Sequence, residues 1–102
     1  MARAEKQEDI LSYIKSQKER LRAEYHVRRI ALIGSFARNE QGPESDIDLL
    51  IDLEENTSHI FEIKRSLRQE LESRFGRHVE VASERFLKPY YREQILKEAI
   101  YV

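Results

Sequence analysis

The segment 46–53, DIDLLIDL, constrains the fold more than any other part of the chain, because apolar and acidic residues alternate along it. One face of an extended chain would carry Ile47, Leu49, Ile51 and Leu53, and the other would carry Asp46, Asp48, Leu50 and Asp52. Such alternation is typical of a β-strand that buries one face. The chain must therefore build a sheet with an apolar face that other elements cover.

Hydrophobic spacing and turn residues predict the remaining elements. Strands are predicted at 27–33, 46–53 and 79–82, helices at 6–25, 57–75 and 89–99, a short helical turn at 35–39 and a loop at 40–45. Residues 1–102 are expected to form a single α/β (α+β) domain, with a small mixed sheet and helices packed on one face. The other face should stay open, and Asp46, Asp48 and Glu80 are predicted to lie on it.

Composition narrows the class of protein. Lys and Arg (18) nearly balance Asp and Glu (19), so a net charge of -1 gives no overall attraction to nucleic acid. The chain has no cysteine, so neither disulfides nor thiolate metal sites can form. The three histidines lack the spacing of metal ligands and are expected at the surface: His26, His59 and His78. No segment approaches the ~20 apolar residues of a membrane span, and no signal peptide is recognised. We expect a cytoplasmic protein without membrane or direct nucleic-acid contacts.

Asp46 and Asp48 are candidate metal ligands. They point the same way from one strand, roughly 7 Å apart between Cα atoms, and two like charges at that distance repel each other. Mg²⁺ prefers carboxylate oxygens and typically takes one or two carboxylates together with phosphate oxygens. The alternative is that Asp46 is a turn residue and Asp48 simply faces water.

Gly34 and Ser35, at the end of the first predicted strand, are candidate phosphate ligands. Glycine allows close approach of a ligand to the backbone, and the start of a helical turn offers unpaired N–H groups to an anion. Ser35 adds a hydroxyl and Arg38 a cation. The alternative is a strand-ending glycine followed by a serine N-cap.

The glycine–serine pair and the strand with two aspartates together resemble a known signature. Residues 34–53, GSFARNEQGPESDIDLLIDL, are similar to that of the minimal nucleotidyltransferase (MNT) branch of the DNA polymerase beta-like nucleotidyltransferases, G-S-[FY]-A-R, a short loop, then S-D-[IV]-D-[LI]. Every signature position is matched, including Ser45, and the ending LKPYYREQILKEAIYV (87–102) also resembles this family.

The resemblance implies a role for each site residue. Asp46 and Asp48 would hold Mg²⁺, and Gly34 and Ser35, with Arg38 and Ser45 as further candidates, would bind ATP, the substrate. A third carboxylate, usually Asp in the family, would come from a neighbouring strand. Glu80 is the candidate here, as metal ligand or general base, although it can also be read as a plain solvent-facing residue.

The acceptor is expected to be a second protein, because 102 residues leave no room for an acceptor domain. The resemblance implies an antitoxin of a HEPN–MNT toxin–antitoxin pair, which would form a hetero-oligomer with a HEPN ribonuclease and transfer AMP to one of its tyrosines. One alternative is a non-catalytic antitoxin that acts by occlusion, which Glu80 in place of Asp favours. Transfer to a small molecule such as an aminoglycoside is a further alternative, disfavoured because a second domain is missing.

Overall fold

The computed structural model describes residues 3–102, which form a four-stranded mixed sheet with helices on it. In chain order the elements are α1 (Gln7–Tyr25), β1 (Val27–Ile33), α2 (Gly34–Ala37), β2 (Ile47–Leu53), α3 (Ile60–Phe75), β3 (Val79–Ser83), a 3₁₀ turn (Glu84–Phe86), α4 (Pro89–Glu98) and β4 (Ile100–Tyr101). The strand order is β3-β2-β1-β4. β1 is antiparallel to β2 and β4, whereas β2 and β3 are parallel. The predicted mixed sheet is confirmed.

The main core lies on the face of the sheet that α1 and α3 cover. It contains the apolar residues of β2 at the predicted alternate positions, together with one stripe from each helix. The fully buried helical residues of this core are Ile10, Ile14 and Leu21 from α1, Phe36 from α2, and Leu67 and Leu71 from α3. The alternation in β2 therefore selects the buried face as expected.

The opposite face is less open than the sequence predicts, because α4 packs on it. Ile95, Leu96 and Ala99 contact a second, smaller core of Ala31, Ile33 and Leu50. The prediction that all helices lie on one face is thus corrected for α4. No residue of α4 is itself buried, so its cover is partial and the carboxylates at one end of the face remain accessible.

Element boundaries differ from the predictions where local backbone geometry decides them. α3 begins at Ile60 rather than residue 57, because His59 at its N-cap has a left-handed φ of 58°. It ends at Phe75, as predicted, and the following Gly76, also left-handed, donates its N–H to the Glu72 carbonyl at 2.9 Å. β4 and the 3₁₀ turn were not predicted, since two or three residues carry no detectable periodicity. No helix within residues 3–102 is long and apolar enough to span a membrane.

Candidate active site

Three strand ends converge at one edge of the sheet and bring the predicted site residues together. In the antiparallel pair, Asp48 lies opposite Ile33, the last residue of β1 before Gly34. In the parallel pair, Asp48 lies beside Glu80. Neighbouring strands are about 4.8 Å apart, so Gly34, Asp48 and Glu80 are neighbours although they lie far apart in sequence.

Asp48 is the centre of this arrangement, and within residues 3–102 only the weaker charge of Arg38 offsets its negative charge. Its side chain accepts no hydrogen bond and forms no ion pair within residues 3–102. Burial raises the pKa of the Asp48 carboxyl, and the nearby carboxylates Asp46, Glu80 and Glu98 raise it further. The folded chain therefore holds a half-buried negative charge that a cation would stabilise.

Asp46 and Glu80 flank Asp48 and are linked through His78. Nδ1 of His78 lies 3.6 Å from Oδ2 of Asp46, and Nε2 lies 3.5 Å from Oε1 of Glu80 and 3.8 Å from Oε2 of Glu72. Asp46 and Glu80 are both more than half exposed. As predicted, both side chains reach solvent on this face, and a protonated His78 would offset part of their charge.

The carboxylates at this site fit Mg²⁺ better than a metal ion that takes all of its ligands from the protein. Within residues 3–102, no group of three or more His, Cys, Asp or Glu side chains is arranged to hold a metal ion by itself. Mg²⁺ keeps several waters and is usually held by one or two carboxylates and substrate phosphates. An uncompensated Asp48 next to the exposed Asp46 meets that requirement.

Gly34 brings the backbone against Asp48. Its φ is +75°, and a Cβ at this position would overlap the Asp48 carboxylate. Ser35, the next residue, is partly buried, and its hydroxyl has no hydrogen-bond partner among the described residues. The corner therefore offers a hydroxyl donor beside the acidic cluster, as a phosphate site requires.

Glu98, from the end of α4, already uses two of the donors predicted to bind phosphate. Its Oε1 accepts the Gly34 N–H at 2.9 Å, and its Oε2 accepts a bond from Nη1 of Arg38 at 2.8 Å. Arg38 also donates from Nε to Glu40 at 2.9 Å. A carboxylate thus lies where an anion is expected, which indicates that these donors suit a negatively charged group.

Ser45 has a structural contact that the sequence did not predict. Its hydroxyl accepts the Gly42 N–H at 2.8 Å and closes the loop before β2. The buried Arg77 holds the same loop by donating to the carbonyls of Gly42, Pro43 and Ser45 at 2.9–3.3 Å. These bonds fix the chain immediately before Asp46.

Sequence reasoning missed Glu98, and it gave Arg77 and His78, which flank the predicted Glu80 strand, only a minor role at the site. Glu98 lies 64 positions from Gly34 in the chain, and no spacing rule connects them. A signal existed for His78, which directly precedes the predicted strand and stands two residues before Glu80, so an extended chain would place both on one face.

The comparisons with known proteins agree with this geometry. The family model described as "Nucleotidyltransferase domain" matches residues 14–102. The protein adenylyltransferase MntA of Thermococcus cleftensis is 35% identical over 95 residues, covering 93% of this chain and 94% of the relative. A Methanocaldococcus jannaschii relative assigned to the same activity is also 35% identical over 95 residues, covering 92% of this chain and 95% of its own.

Solved structures share the fold. A minimal nucleotidyltransferase structure superposes with a TM-score of 0.79 at 33% identity, covering 97% of this chain and 98% of that chain. A Shewanella oneidensis complex of a tri-AMPylated HEPN toxin with an MNT antitoxin gives a TM-score of 0.60 at 17% identity, covering 88% and 69%. The chain therefore belongs to the nucleotidyltransferase-domain family, and it is a minimal nucleotidyltransferase with the DNA polymerase beta-like fold.

Proposed function

We propose that this nucleotidyltransferase is an antitoxin that transfers AMP from ATP to a tyrosine of a HEPN ribonuclease toxin. The observation that carries the proposal is the uncompensated Asp48 carboxylate, packed against the Gly34 backbone and flanked by Asp46 and Glu80. Adenylyl transfer to protein is the activity named for the T. cleftensis relative, and a toxin complex is what the S. oneidensis structure contains.

In this proposal, one set of residues at this end of the sheet binds Mg²⁺ and another set binds ATP. Asp46 and Asp48 would hold Mg²⁺, and Glu80 could contribute a third carboxylate. Mg²⁺, when bound, would supply charge neutralisation of the triphosphate and electrophilic assistance at the α-phosphoryl group. The Ser35 hydroxyl and the Gly34 N–H would donate to phosphate oxygens, with Arg38 adding a cation.

The transfer itself is a displacement at the α-phosphorus. The phenol oxygen of the acceptor forms a bond to that phosphorus, the bond to the oxygen that bridges to the β-phosphorus breaks, and pyrophosphate leaves with the electron pair. Glu80, which is more than half exposed and whose Oε1 lies 3.5 Å from Nε2 of His78, would accept the phenol proton. The products are an AMP–tyrosine phosphodiester and pyrophosphate.

Exposed aromatic residues near α4 support a protein as acceptor. Phe86 and Tyr90 are about two-thirds exposed or more (66% and 70%), and Tyr91 is 51% exposed. They follow one another through the 3₁₀ turn and the first turn of α4. Aromatic residues are enriched where proteins bind other proteins, so this segment is the proposed contact with the toxin.

Incubation with ATP, Mg²⁺ and a candidate HEPN partner protein from the same organism tests the proposal. Intact-mass spectrometry should show a gain in units of AMP on the HEPN protein, which is lost when one of its tyrosines is replaced by Phe. A catalytically active preparation of the HEPN ribonuclease should lose activity in parallel. Absence of any mass gain with the wild-type chain would remove the enzymatic claim.

Occlusion without transfer is the second candidate, and Glu80 is the observation that favours it. Its carboxylate is one methylene longer than the family's usual Asp and lies near His78. The double substitution Asp46→Asn/Asp48→Asn separates the two functions. If the variant still inhibits the ribonuclease in a stoichiometric complex, occlusion is sufficient; if inhibition disappears together with AMP transfer, catalysis is required.

A further inference from the structure

Arg77, in the short link between α3 and β3, is a buried cation without a carboxylate partner. Its side chain is 7% exposed. The other two buried charged side chains within residues 3–102, Asp52 and Glu84, each pair with an arginine, whereas Arg77 forms no ion pair in that range. Burial lowers the pKa of the Arg77 guanidinium, and the charge of Arg3 lowers it further. A buried charge is costly unless hydrogen bonds compensate it, so the fold must keep this cation for its hydrogen bonds.

Backbone carbonyls from two separate segments take the place of a carboxylate. Nε of Arg77 donates to the Ala4 carbonyl at 2.5 Å. The guanidinium also lies 5.1 Å from the centroid of the Phe36 ring, which is fully buried in the main core. Nη1 donates, at 3.3, 3.1 and 2.9 Å, to three carbonyls of the loop before β2: those of Gly42, Pro43 and Ser45. A planar guanidinium can direct several N–H groups at fixed angles, which the single ammonium of lysine cannot do.

The loop held by Arg77 leads into Asp46, which lies just outside the sheet. β2 begins at Ile47, and Asp48 is paired on both sides, opposite Ile33 in β1 and beside Glu80 in β3. Strand pairing therefore fixes the backbone of Asp48. Asp46 precedes the first paired residue of β2, so the contacts of its chain neighbours must fix its backbone.

Two consecutive residues, Arg77 and His78, anchor the chain on both sides of Asp46. The Ser45 carbonyl, directly before Asp46, accepts the bond from Nη1 of Arg77 at 2.9 Å. The Ile47 N–H, directly after Asp46, donates to the His78 carbonyl at 2.9 Å. The second anchor is a backbone bond that any residue could supply, whereas the first depends on the arginine side chain.

The other polar links between this loop and the rest of the described chain lie at the surface. Arg3 donates to the Pro43 carbonyl, and Gln41 donates to the Glu5 carbonyl at 3.3 Å, both in exposed hydrogen bonds. Exposed bonds compete with water and contribute little rigidity. Arg77 therefore supplies the buried link that determines where the loop places Asp46.

We propose that Arg77 is a positioning residue for the Mg²⁺ site, which holds the Asp46 carboxylate where it can share one cation with Asp48. This inference rests on the roles that the proposed function gives to the two aspartates. Arg77 acts only through the backbone before Asp46, without a contact to metal or nucleotide. Replacing a residue that orients a metal ligand typically lowers metal affinity or activity by about 10- to 100-fold.

The variant Arg77→Lys tests this role, because lysine keeps the positive charge but loses the planar set of donors. Mn²⁺ serves as a paramagnetic probe in place of Mg²⁺, and electron paramagnetic resonance of the free ion measures its affinity in the presence of a non-hydrolysable ATP analogue. Arg77→Lys should weaken Mn²⁺ binding by about tenfold. The Mg²⁺ concentration that gives half-maximal AMP transfer should rise by a similar factor.

Leu21→Ala is the matched control for lost stability. Leu21 is fully buried near the end of α1. The chain continues from α1 into β1 at Val27, which pairs with Leu53 at the opposite end of β2 from Asp46. Leu21→Ala should lower the thermal midpoint at least as much as Arg77→Lys and leave the Mn²⁺ affinity unchanged. Both variants are measured at a temperature at which circular dichroism shows them folded.

Pro43→Gly loosens the same loop at an exposed position and leaves the core intact. Glycine makes the unbound loop more flexible, so this variant should weaken Mn²⁺ binding by about threefold. It also keeps the proposal testable if Arg77→Lys does not fold.

A double-mutant cycle with Asp46→Ala shows whether Arg77 acts through Asp46. Without the Asp46 carboxylate there is no ligand left for the loop to position. Arg77→Lys should therefore weaken Mn²⁺ binding by less than about twofold in the Asp46→Ala background, against about tenfold in wild type.

Each other outcome has a defined meaning. If Arg77→Lys and Leu21→Ala have the same effect on Mn²⁺ affinity, or if Arg77→Lys has the same effect with and without Asp46, Arg77 serves the fold alone and the positioning role is overturned. If Arg77→Lys does not fold, an unchanged Mn²⁺ affinity in Pro43→Gly overturns it. If wild type binds Mn²⁺ with the nucleotide but transfers no AMP to the HEPN protein, only the proposed function fails. If wild type binds no Mn²⁺ with the nucleotide, both proposals fail.

Discussion

Asp48 and Asp52 lie on the same face of β2, yet the chain surrounds them differently. Asp52 is 6% exposed and accepts bonds from Arg28, with Arg29 at 3.5 Å. Burial and the neighbouring carboxylates raise the pKa of Asp48, and the weaker influence of Arg38 lowers it by less. A buried carboxylate is normally paired for stability, so Asp52 serves the fold, whereas Asp48 is left available for a ligand.

Substituting each aspartate by Asn should separate these two roles. Asp48→Asn should reduce AMP transfer by about 100-fold or more and raise the thermal midpoint of the ligand-free protein. Its raised pKa means that folding favours the protonated form, so the ionised form costs stability at neutral pH and the gain should vanish in acid. Asp52→Asn should lower the free energy of unfolding by about 1–3 kcal/mol and leave transfer by the folded fraction intact. Thermal melts and transfer assays on both variants test these two roles. A lower thermal midpoint for Asp48→Asn than for Asp52→Asn would contradict them.

Position 34 requires glycine for two reasons, its backbone conformation and the closeness of Asp48. At φ +75°, an L side chain is strained, and a Cβ would overlap the Asp48 carboxylate. Gly34→Ala should therefore cost about 1–3 kcal/mol of unfolding free energy and reduce transfer, because Asp48 must move. Gly42→Ala is the matched control, since its Cβ would meet nothing within 4 Å; it should change stability by less than about 0.5 kcal/mol. Urea denaturation of both variants measures the difference, and equal effects would show that Gly34 is not a special position.

At the level of elements, α1 and α3 are joined by polar contacts as well as by the core. Arg20 on α1 donates to both oxygens of Glu70 on α3, at 3.2 and 2.5 Å, and Tyr25 donates to Glu70 at 3.0 Å. These bonds cross between the two helices that cover the main core. The hydrogen bond from Arg20 is the largest cause of the lowered pKa of Glu70; burial opposes it, and the smaller effects of the Tyr25 hydrogen bond and the Arg20 charge lower the pKa further.

Glu70→Gln should therefore destabilise the protein in a pH-dependent way. Because the folded-state pKa is lowered, the stabilisation is fully present above the ordinary Glu value and is lost as pH falls through the folded value. We expect a loss of about 1 kcal/mol at pH 7, since the pair is partly exposed, and a shrinking difference below about pH 4. Glu93→Gln, in the exposed pair with Lys97, should have no measurable effect at either pH. Chemical denaturation at several pH values measures the difference in unfolding free energy between wild type and Glu70→Gln. If that difference does not change with pH, the ionised Glu70 carboxylate is not its cause.

For the whole molecule, the sequence predicted what local patterns encode and failed where distant segments meet. The β1 boundaries, the buried face of β2 and the Gly76 cap follow from spacing and residue type. The placement of α4 on the other face does not, because its weak apolar stripe is compatible with either face. The contact of Glu98 with the Gly34 corner arises only from that placement, so it was not predicted.

Under the proposed function, the contact of Glu98 with the Gly34 corner should affect ATP binding. Glu98 accepts the Gly34 N–H and an Arg38 N–H, which are donors that a triphosphate would also use, so carboxylate and phosphate should compete for them. Glu98→Gln should therefore tighten ATP binding about fivefold, equivalent to about 1 kcal/mol, in calorimetric titrations with Mg²⁺. Glu40→Gln removes only the second partner of Arg38 and leaves Gly34 occupied, so it should have a smaller effect. Weaker ATP binding by Glu98→Gln would instead mean that Glu98 holds these donors in position for the nucleotide.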